Sequence, residues 1–308
     1  MAKASLTERN QMDFIILQFN ERSYMSGTSR EVYFHVGLPK TASTFLQRRV
    51  FPYLKGICYY KKHDFKKHLK KLNACSESRV LLSYEFNPHP GDRDGEAYLE
   101  FVSNAHEKVF PVIVFRKHSS WLSSRYKYRI RKHGTHSLEQ FLDEQTPVGK
   151  QTRSFLKYYD KIVYLEKKFG NAPLVLFQEE IKHHPFDVIK TIARHIGASF
   201  NEEDIEVGVV KKAYPEKSLK WVLRFNRSYK YAPGAVRPRI LRKLYKKISQ
   251  LLLHSVAFIG KFLPDPQPGQ PLVQKDVLTR IDQEYAGDWE KCKAYARKQR
   301  KLYLPEGV

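Results

Sequence analysis

The sequence predicts an α/β protein with a doubly wound parallel sheet flanked by helices and a mainly helical C-terminal portion. Two observations lead to this fold class. Between residues 31 and 200, short apolar segments typical of buried strands alternate with longer segments of helical periodicity, and strands separated by helices pair in parallel. Beyond about residue 200 the strand pattern stops and only helical patterns continue.

The individual elements follow from the spacing of apolar residues. Buried strands are predicted at residues 32–36, 80–83, 112–115 and 174–177. Helices are predicted around residues 65–72, 99–102, 155–169, 186–196, 240–263 and 277–302. Gly170 and Gly197 are predicted to end two of these helices, because glycine adopts the left-handed conformation that commonly closes a helix.

The chain is predicted to form one folded domain after a short extension. Residues 1–30 lack clear periodicity and are expected to be a flexible N-terminal extension. Residues 31–308 are expected to form the domain, with an α/β core over 31–200 that carries the ligand site and a helical part over 201–308. Pro and Gly residues at 233–234 and 264–271 mark loops between the last helices.

The charge balance is strongly basic. The 308 residues include 55 Lys and Arg against 32 Asp and Glu, which gives a formal net charge of +23. Such an excess predicts a polyanionic partner or an anionic surface. Nucleic acid, acidic polysaccharide, anionic lipid and a phosphate-rich cofactor all satisfy this condition, and charge alone does not select among them.

The cysteines and the apolar runs bear on the compartment. Cys58, Cys75 and Cys292 are odd in number, widely separated and form no CxxC pair, which disfavours a disulfide framework or a zinc site and predicts a reducing compartment. The N-terminal residues contain no signal-peptide core, and the apolar run at 251–263 is shorter than the ~20 residues of a spanning helix. We expect a cytoplasmic protein, soluble or peripheral at the inner face of the membrane.

The segment from Val32 to Leu46 has the pattern of a strand, a tight loop and a helix start. The free N–H groups of such a loop and of the first helical turn converge on one point, where the helix dipole adds positive potential. Lys40 adds a full charge there, and nearby hydroxyl groups add donors, so the segment predicts a phosphate cradle. It is not a Walker A loop, because GxxxxGK[ST] is absent. The alternative is an ordinary turn capped by Ser43 or Thr44.

This loop resembles the 5′-phosphosulfate loop of sulfotransferases that use 3′-phosphoadenosine 5′-phosphosulfate (PAPS). The family pattern is roughly Pro-Lys-[Ser/Thr]-Gly-[Ser/Thr]-[Ser/Thr] followed by an aromatic residue and Leu, and here Ala42 replaces the Gly. The resemblance implies that Lys40 contacts the transferring sulfate and its bridging oxygen. It also implies that Thr41, Ser43 and Thr44, with Ala42 among them, hold the 5′-phosphate.

Two further segments are similar to the same family. Arg116 ends the predicted strand at 112–115, and Ser124 follows eight positions later in the next helix, like the family's 3′-phosphate motif. Residues 174–197 resemble the late strand–helix unit of bacterial members. The resemblance covers roughly residues 31–200 and implies a sheet of P-loop-kinase type. The Arg-Lys-Gly triplet of the cytosolic small-molecule enzymes is absent, so the remaining adenosine and 3′-phosphate contacts stay open.

Glu85 is the candidate general base. It follows a predicted strand, and in open α/β sheets the carboxyl ends of the strands carry the ligand site, where Gly37 and Arg116 are also expected. Small-molecule sulfotransferases usually place a His at this point, whereas several bacterial and carbohydrate-directed members resemble the Ser-x-Glu found here. The alternative for Glu85 is a structural ion pair. His89 is the fallback base, and His35 is expected to be a packed strand histidine.

These observations predict a sulfotransferase that transfers the sulfuryl group of PAPS, with 3′-phosphoadenosine 5′-phosphate (PAP) as product, by in-line displacement without a metal. The acceptor is expected to be a hydroxyl of a carbohydrate, either a polysaccharide or a lipid-linked glycan. One alternative is a nucleotide-dependent phosphotransferase, which would need a Walker A lysine and Mg²⁺ ligands for which no clear candidate is seen. Another is a non-enzymatic binder of polyanions, although no nucleic-acid-binding motif is found.

Three basic segments have two interpretations each. The lysine-rich segment at 61–71 and the Arg- and Lys-rich segment at 125–132, which includes Tyr126 and Tyr128, predict either a solvated helix face or a track for an anionic glycan. In residues 239–263, basic residues lead into an apolar run. This pattern fits either a core helix packed on the sheet edge, which we favour, or a helix in an anionic membrane interface.

Overall fold

The central element is a five-stranded sheet in which every strand is parallel to its neighbours, in the order β2-β3-β1-β4-β5. A computed structural model describes residues 30–61, 74–89, 93–208, 214–229, 231–236 and 238–303. The strands are β1 (Glu31–Gly37), β2 (Cys58–Lys61), β3 (Arg79–Glu85), β4 (Lys108–Phe115) and β5 (Leu174–Phe177). The four predicted strands lie within β1, β3, β4 and β5, which confirms the predicted sheet.

The α-helices of the described residues account for most of the rest. They are α1 (Ser43–Phe45), α2 (Arg93–Ala105), α3 (His118–Ile130), α4 (Leu138–Leu142), α5 (Pro147–Leu156), α6 (Tyr158–Phe169), α7 (Gln178–His183), α8 (Pro185–Ile196), α9 (Glu216–Ser228), α10 (Arg239–Ile259), α11 (Lys275–Glu284) and α12 (Ala286–Tyr303). Beyond residue 200, the described residues form helices and loops, which confirms the helical C-terminal portion. In the described part of the chain, none of these helices has the length and apolarity needed to cross a membrane.

The described residues group into two compact units. The first contains residues 30–116, 157–208 and 287–303, within the described ranges, and holds the whole sheet. The second contains residues 117–156 and 214–286 and is helical. In the first unit α6 packs on β4 and α2 packs on α6, so that helices cover the sheet.

The sheet forms the core of the first unit. In β1 the residues from Val32 onward are buried, and in β5 all four residues are buried, as in parallel sheets covered on both faces. The edge strand β2, with the sequence Cys-Tyr-Tyr-Lys, is half-exposed and was not predicted. Three of its four side chains carry polar groups, and none of the four residues is buried. The sequence pattern is therefore too weak to predict an edge strand.

Two predicted long helices are each divided into two. The segment predicted around 155–169 breaks at Lys157, where α5 ends and α6 begins. The Asp288 carboxylate explains the break, because it accepts hydrogen bonds from the amides of Tyr158 (3.2 Å) and Tyr159 (3.0 Å) at the start of α6. The predicted helix at 277–302 likewise divides between α11 and α12 at Tyr285. Gly170 closes α6 with a φ of 67° and, as predicted, is a left-handed cap.

Some expectations lie outside the described residues. The N-terminal extension predicted for residues 1–30 lies outside the described residues, except for residue 30. The basic helix predicted around 65–72 lies wholly within the undescribed range 62–73.

The expectation about the cysteines is wrong. Cys58 and Cys75 form a disulfide, with Cα atoms 6.2 Å apart and a sequence separation of 17, while Cys292 is a buried free thiol. The pairing follows from the sheet, because Cys58 opens β2 opposite Val80 of β3 and Cys75 lies shortly before β3. Disulfides persist mainly in oxidising environments, so the cysteines no longer support a reducing compartment.

Reduction of this disulfide should destabilise the protein. Closing a loop of this length removes unfolded-state entropy equivalent to about 3 kcal/mol, which predicts a fall of several degrees in the melting temperature under reductant. The Cys58→Ser/Cys75→Ser variant should melt at the reduced value and be insensitive to reductant. Titration of thiols in denaturant should find one without reductant and three after reduction. Three thiols before reduction, or a reductant-insensitive wild-type protein, would contradict the disulfide.

Candidate functional site

Three of the predicted site residues lie at one edge of the sheet. Gly37 ends β1, Glu85 ends β3, and Arg116 directly follows β4. β1 lies between β3 and β4, and the register pairs Gly37 with Glu85. The carboxyl ends of these three strands therefore meet at the place where open α/β sheets bind ligands.

The loop after β1 is shaped by its own hydroxyl groups. The Thr41 hydroxyl donates to the Leu38 carbonyl (2.7 Å), and the Ser43 hydroxyl donates to the same oxygen (3.1 Å). Both side chains are buried, whereas Thr44 is partly exposed. The predicted hydroxyl donors at 41 and 43 thus already hold the loop. The amides of Phe45 and Leu46 donate to the Ala42 carbonyl (2.9 and 3.2 Å), so a phosphate at this turn would meet mainly the amides at the very start of α1.

The backbone of the loop turns through two left-handed residues. Lys40 has a φ of 74° and Ala42 a φ of 65°, and both conformations are unfavourable for residues with a Cβ, by roughly 1–2 kcal/mol each. Ala42 is the N-cap of α1 and no side chain caps the helix, so the alternative of a turn capped by Ser43 or Thr44 does not describe this structure. The left-handed φ at Ala42 also explains why glycine suits this position in the resembling pattern.

Gly37 allows β1, the loop and β3 to come together closely. A Cβ atom at this position would lie 2.8 Å from Ser43 Oγ and 3.1 Å from Glu85 Cγ, both too short for ordinary contacts. A side chain would therefore displace the loop or the glutamate. The short distance to Glu85 Cγ places the Glu85 side chain beside the start of the loop. Glu85 is exposed to solvent.

Arg116 contacts the loop from the other side. Its Nη1 donates to the Lys40 carbonyl at 3.3 Å. Burial lowers the pKa of Arg116, and the nearby Glu179 and Tyr158 oppose that shift. Among the described residues, the buried Nε of Arg116 has no hydrogen-bond partner. The guanidinium thus has donor capacity beyond the single bond to the loop.

The histidines take different positions. His35 in β1 is buried, and its Nδ1 lies 2.7 Å from Ser83 Oγ, which also accepts a hydrogen bond from Gln47 Nε2 (2.9 Å). Burial lowers the pKa of His35 to about 3, so the ring is neutral and packed, as expected for a strand histidine. His89, the fallback base, lies four residues beyond the end of β3, and its amide donates to the Asn87 carbonyl (2.9 Å).

Two buried histidines should make stability fall in mild acid. Burial lowers the pKa of His35 to about 3 and that of His195 to about 4, from the usual 6.5. Below about pH 6.5 the unfolded chain binds protons that the folded chain does not, so stability is full above that pH and declines below it. The slope should approach about 1.4 kcal/mol per pH unit for each histidine.

Urea unfolding between pH 7.5 and 5 measures this slope, a range above the carboxylate titrations. His195→Gln should reduce the slope, because it removes one of the two buried neutral rings. A stability that is flat over this range would contradict the buried neutral histidines.

Ser124 and the basic segment around it lie in the second unit. Ser124 is partly buried in the middle of α3, and its predicted role toward a 3′-phosphate stays a prediction. Tyr126 is only 3% exposed and donates to the His136 carbonyl, so it cannot offer a ring face to a sugar. Tyr128 is partly exposed, and Arg125 and Lys132 lie 5.8 and 6.0 Å from the centre of its ring.

Two residues near the site were not anticipated. Glu179 lies just after β5 at the same sheet edge and favours the charged form of Arg116. Its position two residues after a predicted strand was the available signal. Gln47 reaches Ser83 from the helical segment after the loop, and no feature of the sequence pointed to that contact. In the described ranges, no group of three or more His, Cys, Asp or Glu side chains is arranged to hold a metal.

Comparison with known proteins gives distant structural likenesses. No protein-family model and no curated protein matches the chain. One similar solved structure is a sulfotransferase from Alicyclobacillus acidocaldarius, with 14% identity, a TM-score of 0.47, and 66% of this chain and 97% of that chain covered. Another is the mouse sulfotransferase SULT7A1 complexed with PAP, with 16% identity, a TM-score of 0.39, and 84% and 89% covered. At this distance neither likeness assigns a role to any residue.

Proposed function

We propose that this protein is a sulfotransferase that uses PAPS as sulfuryl donor. The observation that carries the proposal is the turn after β1, where Lys40 and the first amides of α1 lie beside Arg116 on one side and Glu85 on the other. Two cations and one carboxylate at the carboxyl edge of the sheet match the needs of sulfuryl transfer. The cations stabilise a phosphate leaving group, and the carboxylate accepts a proton.

The residues fit a nucleotide that carries several phosphate groups. Arg116 has a buried Nε without a partner among the described residues, and guanidinium groups bind phosphate in a bidentate manner. Gly37 lets the loop and the Glu85 side chain approach each other closely, and a side chain at this position would displace one of them. When bound, PAPS supplies an activated sulfuryl group on a phosphate that can leave. Arg116 would hold its 3′-phosphate, and the turn at Thr41, Ser43 and Thr44 would hold its 5′-phosphate.

The chain's own groups divide the chemistry between them. Glu85 accepts the proton of the acceptor hydroxyl as the acceptor oxygen bonds to sulfur. Lys40 stabilises the negative charge that develops on the bridging oxygen as its bond to sulfur breaks. Because Arg116 donates to the Lys40 carbonyl, it also helps to fix the loop that carries this lysine.

We further propose that the acceptor is a carbohydrate hydroxyl. The exposed position of Glu85 at the strand end suits a large acceptor, and the formal charge of +23 favours an anionic one. A screen with labelled PAPS should place the label on a polysaccharide or a glycolipid. Labelling of small phenols or amines alone would overturn the carbohydrate proposal but keep the sulfotransferase.

Parallel titrations test the class of function. PAPS and PAP should bind without Mg²⁺, and both should bind more tightly than ATP. An oligonucleotide and PAPS should compete for the protein only weakly. Tighter binding of ATP that requires Mg²⁺ would indicate a phosphotransferase instead. Binding of the oligonucleotide without measurable binding of PAPS would indicate a polyanion binder.

A further inference from the structure

Helix α10 is packed along one narrow side only. Ser249, Leu253 and Ala257, spaced by four residues, are buried, and Gly260 follows at the end of the same side. A Cβ atom on Gly260 would lie 3.2 Å from both Ser218 Cα and Trp221 Cβ of α9, which shows how closely the two helices approach. This side therefore forms the contact of α10 with α9.

A second side of α10 is apolar and exposed. With 100° between successive residues, Leu244, Ile248, Leu251 and Ile259 lie on one side of the helix, away from Leu253. We call the exposed apolar residues of this segment the apolar stripe: Ile240, Leu241, Leu244, Ile248, Leu251, Leu252, Phe258, Ile259, Phe262 and Leu263. Leu251 is 66% exposed and Phe262 75% exposed. The favoured expectation of a core helix packed on the sheet edge is wrong for this side.

A third side of α10 is basic. Lys243, Lys246 and Lys247 are exposed and lie on the side opposite Leu252 and Ile259, and the exposed Lys261 follows the end of the helix. Residues 239–263 contain six Lys and Arg residues and no Asp or Glu. A helix with an apolar side and a basic side has the pattern of helices that lie in the surface of anionic membranes.

An open cleft lies where the apolar and basic sides meet. It has a volume of about 580 Å³ and is lined by Tyr214, His254, Ser255, Phe258, Ile259 and Lys261. The Lys261 ammonium lies 5.4 Å from the centre of the Phe258 ring. An ammonium and a hydroxyl beside apolar side chains suit a phosphate headgroup whose acyl chains lie along the stripe.

We propose that α10 docks the protein on the surface of a membrane that contains anionic lipid. The apolar stripe would rest among the acyl chains, and the lysines would lie at the level of the lipid phosphates. Charge complementarity selects this occupant, because a second copy would bring the same excess of positive charge against this helix. The inference rests on α10 alone and holds whether or not the sulfotransferase proposal is correct.

Co-sedimentation with vesicles, in the absence of PAPS, tests the docking. The protein should pellet with phosphatidylcholine vesicles that contain phosphatidylserine, much less with pure phosphatidylcholine, and less as salt is added. Leu251→Ser/Phe258→Ser should weaken binding by roughly 100-fold or more, because two large apolar side chains no longer enter the acyl region. Val163→Ser on α6, at a position that is 48% exposed, should change nothing.

The basic side is tested by removing charge. Lys246→Gln/Lys247→Gln should weaken binding to anionic vesicles by roughly 30-fold, which corresponds to about 2 kcal/mol for the two lysines. The matched pair Lys150→Gln/Lys167→Gln removes the same charge from exposed positions on α5 and α6 and should have a much smaller effect. All substituted positions are exposed, so unchanged melting temperatures will show that each variant folds.

Three results would overturn the proposal. One is protein that stays in the supernatant with anionic vesicles at low salt. Another is a dimer in light scattering that Leu251→Ser/Phe258→Ser abolishes, with no vesicle binding, which would assign the stripe to a second copy. The third is binding that appears only after residues 1–29 are removed, which would show that the chain covers the stripe itself.

Discussion

Glu85→Gln is expected to lower turnover by roughly 10²- to 10⁴-fold, the usual contribution of a general base. The amide keeps the shape of the side chain but cannot accept the acceptor proton. The Glu85 side chain lies beside Gly37, and the substitution keeps its shape, so the dissociation constant of PAP should barely change. Single-turnover kinetics with labelled PAPS measures the first quantity, and calorimetry with PAP measures the second.

A matched carboxylate separates this effect from a general change of charge. Glu96→Gln removes an exposed carboxylate from α2 and should leave both turnover and affinity unchanged. Near-normal turnover in Glu85→Gln would reject Glu85 as the base and direct attention to His89. Equal losses of turnover and PAP affinity would instead assign Glu85 a structural ion pair.

Lys40→Ala is expected to lower mainly turnover, and Arg116→Ala is expected to weaken mainly the binding of PAP. Lys40→Ala should lower turnover by about 10²- to 10³-fold, because its charge matters most as the bridging oxygen becomes anionic. Arg116→Ala should raise the dissociation constant of PAP by roughly 30-fold or more, which corresponds to about 2 kcal/mol for a lost charged partner. Turnover at saturating PAPS should fall less in Arg116→Ala than in Lys40→Ala.

The bond from Arg116 to the Lys40 carbonyl requires a control. Loss of this hydrogen bond would also change the loop. Arg116→Lys keeps the positive charge but not the paired N–H donors of the guanidinium, so this variant should recover only part of the affinity for PAP. Arg194→Ala removes an exposed arginine at the end of α8 and should have no effect. If Arg116→Ala binds PAP like the wild type, the assignment of this arginine to the 3′-phosphate is wrong.

The parts of the fold that could be predicted are those with strong local patterns. Buried parallel strands such as Val112 to Phe115 are apolar without interruption, and glycines such as Gly170 mark helix ends through their backbone freedom. The edge strand β2 and the Cys58–Cys75 disulfide depend instead on which strands become neighbours. That information lies in long-range packing and is not carried by the spacing of cysteines.

The candidate site shows the same division. The common edge of Gly37, Glu85 and Arg116 could be predicted, because the carboxyl ends of parallel strands lie together. The left-handed backbone at Lys40 could not be predicted, because such strain is visible only in the folded chain. The hydrogen bond from the Thr41 hydroxyl to the Leu38 carbonyl could not be predicted either. A threonine hydroxyl can bond to nearby backbone or to a ligand, and the residue type does not decide between the two.

Helix α10 illustrates a different limit. Its sequence fits both a core helix, which was favoured, and a membrane-surface helix, because both need an apolar side. Only the structure shows that Leu253 is buried while Leu251 and Phe258 are exposed.

Calorimetric titration of PAP into the wild type and the Lys40→Ala/Arg116→Ala variant tests the proposed nucleotide site. We propose that the loop after β1 and the arginine after β4 form one nucleotide site, because Arg116 donates to the Lys40 carbonyl. Wild-type protein should therefore bind one PAP without metal, and the double variant should bind it at least about 100-fold more weakly while melting at the same temperature. Equal affinities for PAP in the two proteins, or no binding by the wild type, would contradict the account.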